Sequence, residues 1–200
     1  MTRQRIALIP PPRFARFAIL GHDPGDDAGA LAAVDVDRLT NRPSVRWVLS
    51  YSGQSSRLWT PEGITATTAG CLFGLLSIAP NFQGVMVCEQ LKPFKGYNRG
   101  FQTLVEAAGA VKHWARASQI SVLAAEPNPS TWRAEVLNIR TGTPADACAA
   151  AAVAAVEGRP VPGSRYELDL GLVYPVKPID EHGAEAICIA LHGLGYRVTP

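Results

Sequence analysis

Three segments of this chain place an acid beside residues that avoid water. Phe17-Ala-Ile-Leu-Gly-His-Asp23 is apolar up to Asp23 and runs into the turn Pro24-Gly25-Asp26-Asp27. Gly84-Val-Met-Val-Cys-Glu89 ends on Glu89 in the same way, and Asp180-Glu-His-Gly-Ala-Glu185 leads into the wholly apolar Ala186-Ile-Cys-Ile-Ala-Leu191. An ionised carboxylate at the rim of a buried sheet loses hydration and needs a positive partner. Carboxylates that converge from separate segments suit a divalent cation with a preference for hard oxygen ligands, Mg²⁺ or Mn²⁺. Glu181 and Glu185 are spaced i,i+4, and His182 and Glu185 i,i+3, so either pair presents two groups on one helical face. Each segment also has a plain structural explanation. Asp23 and Glu89 suit turn caps or arginine partners, and acids in a first helical turn are favoured by the macrodipole. Asp146, in Thr143-Pro-Ala-Asp146, is a further acid opening an apolar helix and ranks below Glu185.

The elements that must carry these residues can be read from periodicity and turn signals. Residues 17–23 and 28–36 read as a hairpin about the Pro-Gly turn, and 45–50 as a third strand. The continuous apolar run of 84–89 suits a central strand covered on both faces. A helix is predicted over 65–78, with start signals at Thr60-Pro61-Glu62, and helical spacing marks 101–117, where Phe101, Leu104, Val105, Ala108, Val111, Trp114 and Ala115 share a face. A short strand over 120–124 follows. A turn at Pro127-Asn-Pro-Ser-Thr leads into 132–137, and a proline-led, alanine-rich helix covers 144–156. Residues 157–178, with their prolines, read as an extended connector to a last helix over 181–191. Strands alternating with helices in this order point to an α/β layered domain with a mixed sheet.

The chain has 200 residues, of which 47% are apolar and 18% charged. That is enough for one domain with a full core and excludes a disordered or fibrous chain. The apolar runs at 71–80 and 148–156 fall short of the roughly 20 residues needed to span a bilayer, and the start of the chain is too short in apolar residues for a secretory signal. A soluble, cytoplasmic protein of a bacterial or phage-infected cell is expected. Cys71, Cys88, Cys148 and Cys188 show no Cys-x-x-Cys spacing and sit in apolar runs, as reduced core thiols do. The net charge is only +2, yet residues 1–16 carry Arg3, Arg5, Arg13 and Arg16 with no acid. Residues 91–118 carry Lys92, Lys95, Arg99, Lys112 and Arg116 against the single acid Glu106. Two basic stretches on a near-neutral chain suit either a solvated surface or a polyanion-binding face.

In order along the chain, these motifs resemble the RuvC-type Holliday-junction resolvases, in particular their phage-like branch. Ile19-Leu-Gly-His-Asp-Pro-Gly25 with Gly29-Ala-Leu-Ala-Ala-Val34 is similar to the family's first hairpin. Val85-Met-Val-Cys-Glu89 and the basic loop after it are similar to its second acidic strand. Pro129-Ser-Thr-Trp-Arg133 resembles a Trp-Lys signature, and His182-Gly-Ala-Glu-Ala-Ile-Cys-Ile-Ala-Leu-His-Gly193 resembles the final catalytic helix. The resemblance spans 17–195. It implies a ribonuclease H-like mixed sheet flanked by helices, forming a single nuclease domain over 1–200 with a basic arm at 1–16. It also implies phosphodiester hydrolysis with two Mg²⁺ or Mn²⁺ ions about 3.5–4 Å apart. Asp23 would then bridge both ions, Glu89 would hold one and Glu185 the other, and His182 would be a fourth ligand or a general base. The fourth position stays open among Asp180, Glu181 and His182, since one residue of gap shifts the register. The family has an apolar residue where His22 stands, and His22 points away from Asp23 in a strand, so it takes no ligand role.

Branched double-stranded DNA is the substrate the resemblance implies. Lys92, Lys95 and Arg99 follow Glu89 and can reach phosphates beside it. Phe94 and Tyr97 in the same loop would serve as an aromatic wedge, or else pack beneath the loop. Arg133 is a further phosphate candidate. The near two-fold symmetry of a four-way junction favours a homodimer with two sites. The competing expectations are a ribonuclease H-like nuclease for flaps, forks or hybrids, and a DNA-binding module without catalysis.

Overall fold

The computed structural model describes residues 5–9, 18–25, 28–36, 42–52, 84–91, 99–117, 119–124, 126–162, 167–170, 172 and 178–198. The helix expected over 65–78, with Cys71, lies outside the described residues, as do Lys92, Phe94, Lys95 and Tyr97.

The main sheet has five strands: β2 (Ala18–Asp23), β3 (Ala28–Val36), β4 (Pro43–Ser52), β5 (Gly84–Cys88) and β6 (Ser121–Val122). Their spatial order is β4-β3-β2-β5-β6. The first three form an antiparallel meander, and β5 and β6 join parallel to β2 and to β5. The sheet is therefore mixed, as expected. The strand expected over 120–124 is shorter, with Ser121 and Val122 paired to β5.

Strand periodicity divides the core in two. Leu20, Leu31, Ala33, Met86 and Cys88 face helix α1 (Arg99–Ala117), where Val111 and Ala115 pack against them. Ile19, Ala30, Ala32, Val34 and Val87 face the opposite way, towards α2 (Pro129–Leu137), α3 (Ala145–Val156) and α4 (Glu181–Gly193). The alanines of α3 let it lie close to α4, whose residues 183–191 are all buried.

Glycine sets the height of α4 above the sheet. A Cβ added to Gly21 would lie 2.0 Å from the Ala186 carbonyl oxygen, and one added to Gly193 would lie 2.5 Å from a Val87 methyl. Residue 193 thus sits near Ile19 and Val87, and residue 186 near Gly21. The helix descends β2 as the strand rises, so its N-terminus arrives where β2 and β5 end.

A second sheet was not anticipated. Strand β1 (Arg5–Ile9) in the basic arm pairs in parallel with β7 (Glu167–Asp169) in the connector and antiparallel with β8 (Arg197–Val198) beyond α4. Strands of two to five residues carry too little alternation to show a period, and each finds its partner only across most of the chain. The arm and the connector are thus tied to each other beside the last helix.

Candidate active site

Among the described residues, the buried acids are Asp23, Glu89 and Glu185. Strand parity brings the first two together. Ile19, Gly21 and Asp23 alternate onto one face of β2, and Val85, Val87 and Glu89 onto the same face of β5. The parallel register pairs Gly21 with Val87 and His22 with Cys88, and the Glu89 amide donates to the His22 carbonyl at 3.1 Å. Glu89 therefore emerges beside Asp23.

Helix α4 brings the third acid. Its N-cap is Asp180, whose side chain accepts from the Gly183 amide at 2.7 Å. The cap fixes the helical phase, so His182 and Glu185 face the strand ends. His182 Nδ1 lies 2.8 Å from Asp23 Oδ2. Asp180 and Glu181 are exposed, and Glu181 lies 3.9 Å from His182 Nε2 at its nearest. Of the three candidates for the fourth position, His182 is the one at Asp23. Asp146 is an exposed acid in the first turn of α3. His22 is fully buried on the opposite side of the sheet, where burial and then Lys112 hold its pKa down to about 3.

Helix α2 contributes two side chains whose roles here were not foreseen. The fully buried Trp132 donates its indole Nε1–H to Glu89 Oε1 at 2.6 Å. Arg133 donates from Nη2 to Glu185 Oε1 at 2.8 Å, and its guanidinium lies 5.1 Å from the Trp132 ring centroid. Arg133, expected at a DNA phosphate, is thus paired inside the site. The start of α2 is tied to the end of β5 in two steps. Gln90 N–H donates to the Pro127 carbonyl at 3.0 Å, and the Asn128 side chain caps the helix by accepting from the Ser130 amide at 3.0 Å. The signal available in the sequence was Asn128-Pro129, a helix start that places Trp132 and Arg133 in the first turns. Nothing in the chain showed which acids they would meet.

These groups share one electrostatic environment. Burial, and after it the charge of Asp23, push the Glu89 carboxyl up to about 8, against the opposing Trp132 hydrogen bond and Arg133 charge. Burial and Asp23 likewise push Glu185 up to about 7, opposed by Arg133. The hydrogen bond to Asp23 raises the pKa of His182 despite its partial burial. The N-terminus of α4 adds the positive end of its dipole. Three carboxylates and an imidazole are a donor set that suits Mg²⁺ or Mn²⁺ in kind. Their present geometry is closed, each carboxylate being turned to a protein donor. Among the described residues, no three His, Cys, Asp or Glu side chains are gathered as a ready ligand set.

The basic segments are less fully described. Arg99 is the first residue of α1, and Lys112 pairs with Glu126. Cys88, Cys148 and Cys188 are buried free thiols, as expected. Among the described residues, no helix is long and apolar enough to cross a membrane.

No family model matches the chain, and no curated protein matches its sequence. Solved structures are similar to it in fold. The Thermus thermophilus RuvC structure aligns with a TM-score of 0.58 at 19% identity, covering 92% of this chain and all of that one. T. thermophilus RuvC in complex with Holliday junction substrate gives 0.58 at 18% identity with the same coverage. The fowlpox virus Holliday junction resolvase gives 0.52 at 16% identity, covering 90% of this chain and 99% of its own. The chain has the ribonuclease H-like fold that these resolvases share.

Proposed function

We propose that this protein is a metal-dependent endodeoxyribonuclease that resolves Holliday or other branched DNA junctions. One observation carries most of the weight: the buried acids among the described residues are three, and all three belong to the strand ends and the helix start that surround Asp23. Such a cluster is costly in a core without a ligand to bind, because each carboxylate is desolvated by burial and also repelled by the charge of its neighbours. The fold likeness agrees with this, and one of the similar structures holds Holliday junction substrate.

Asp23, Glu89, Glu185 and His182 are the residues that would hold Mg²⁺ or Mn²⁺. Two such ions would supply Lewis-acid activation of the attacking water and of the leaving oxygen. The protein's own groups do the remaining work. Asp23 orients the His182 ring through Nδ1, and this bond keeps a proton on His182 to higher pH. Where it is not a metal ligand, His182 would instead serve as a general base. Trp132 fixes Glu89, and the stem of β2 and β5 fixes both strand-end acids relative to α4. Lys92, Lys95 and Arg99, with the aromatics Phe94 and Tyr97, follow Glu89 in the chain and would meet the DNA backbone and the branch point. The protein would act as a homodimer in the cytoplasm, as one domain over 1–200, with one site for each of two opposed strands.

The test is cleavage of an end-labelled four-way junction in Mg²⁺ or Mn²⁺, with EDTA as control. Paired, symmetrical nicks are expected, and they should cease in EDTA. Cuts confined to one branch would instead indicate a flap or fork nuclease. Asp23→Asn should abolish cleavage while junction binding in a mobility-shift assay stays as tight or tightens. Wild-type turnover by that variant would refute the site.

A further inference from the structure

Arg133 is an unusual neighbour for Glu185. Its guanidinium cannot shed its charge by deprotonation at physiological pH, so it can leave the carboxylate only by moving. It reaches Glu185 through Nη2, while its Nε is buried with no hydrogen-bond partner among the described residues. An arginine kept purely to lock a carboxylate would present two parallel donors to it. Its backbone, in contrast, is fixed. The preceding residue is the fully buried Trp132, bonded to Glu89, and the guanidinium rests against that ring at 5.1 Å. The guanidinium also lies beside the Cys148 thiol, and a displacement of its tip would leave it close to the site.

We propose that Arg133 is an exchangeable counter-cation for Glu185, which a divalent ion must displace in order to bind there. This deepens the metal-dependent reading and rests on Glu185 being one of the residues that hold the ion. Without metal, Arg133 compensates a buried carboxylate that also feels Asp23. With metal, the positive charge of the ion takes over, and the freed guanidinium stays within a side chain's reach of the same spot. It is then available to a DNA phosphate. Arg133 thus acts as a positioning residue whose access to DNA is coupled to metal occupancy.

Isothermal titration of the full chain with Mn²⁺ tests this. Arg133→Met keeps the aliphatic stem and removes the competing charge, and it should tighten one Mn²⁺ site about tenfold. Arg133→Lys should return the affinity towards wild type. In a Glu185→Gln background, adding Arg133→Met should change little, because the exchange needs the carboxylate. If the wild type binds Mn²⁺ and Arg133→Met binds it equally or more weakly, the exchange is wrong while the metal site stands. If the same tightening occurs with Glu185→Gln, Arg133 acts as a distant charge and the exchange is again wrong. A wild type that binds no Mn²⁺ overturns the metal site and the exchange together. A measurement on the wild type removes any dependence on variant folding. In ¹⁵N-arginine spectra, the Arg133 side-chain signals, assigned with Arg133→Lys, should show a restrained Nη group that becomes mobile on saturation with Mg²⁺. A restrained group persisting at saturation would also overturn the exchange.

Discussion

Trp132→Phe isolates one hydrogen bond in the site. The substitution keeps an aromatic ring in the core and removes the indole N–H that Glu89 Oε1 accepts at 2.6 Å. Both partners are buried. Leaving a buried acceptor unsatisfied costs about 1–3 kcal/mol. The smaller ring adds a cavity penalty in the same direction. In a chain of this size each kcal/mol lowers Tm by about 2–4 °C, so differential scanning calorimetry in EDTA should show a drop of about 2–12 °C. A second readout separates this bond from general loosening. The indole bond opposes the upward push on Glu89, so its loss should raise that pKa beyond about 8. The acidic limb of the cleavage pH profile should then move to higher pH, and the apparent affinity for Mg²⁺ at pH 7 should fall. A Trp132→Phe protein with unchanged Tm and an unmoved pH profile would refute the assignment of Trp132 as the residue that sets Glu89.

Three further outcomes follow from the same geometry. Gly21→Ala drives a methyl group into the Ala186 carbonyl, 2.0 Å from the ideal Cβ. It should cost about 3 kcal/mol by chemical denaturation, because backbone must move, and should weaken the His182–Asp23 contact. In the metal-free protein, Glu89 and Glu185 have folded-state pKa values of about 8 and about 7, above the ordinary 4.5. A raised carboxyl pKa gives stability that is complete below pH 4.5 and is lost as pH rises through the folded value. Denaturation in EDTA should therefore show a loss on the order of a few kcal/mol between pH 5 and pH 8, and saturating Mg²⁺ should reduce or reverse that slope. Lys95→Ala combined with Arg99→Ala should weaken junction binding and flatten its dependence on salt; an unchanged slope would move the DNA face elsewhere.

The parts of the site legible in the sequence are those that local rules determine. An acid closing an apolar run of alternating faces must stand at a strand end, and two such runs in parallel register bring Asp23 and Glu89 together. The apolar run after Glu185 announced a helix buried on nearly every side. The choice among Asp180, Glu181 and His182 was not legible, because it depends on helical phase. The phase was set by the Asp180 cap. The partners of Glu89 and Glu185 were hidden for a different reason. Trp132 and Arg133 lie on a helix whose approach is set by the Gln90–Pro127 bond and by packing against α4, both contacts between segments far apart in sequence. The small sheet was hidden because strands of two to five residues show too little alternation to reveal a period.

That small sheet also bears on how the molecule is made. Strand β1 is synthesised before the main sheet, yet its hydrogen-bonding partners flank α4 and are synthesised after that sheet. The meander of β2, β3 and β4 relies on neighbours in the chain and can form early, whereas closure of β1 against β7 and β8 joins segments far apart in the sequence and comes later. A nascent polypeptide therefore carries Asp23 and Glu89 before the helix that brings His182 and Glu185 has been made, and the four side chains can be gathered only once that helix has emerged.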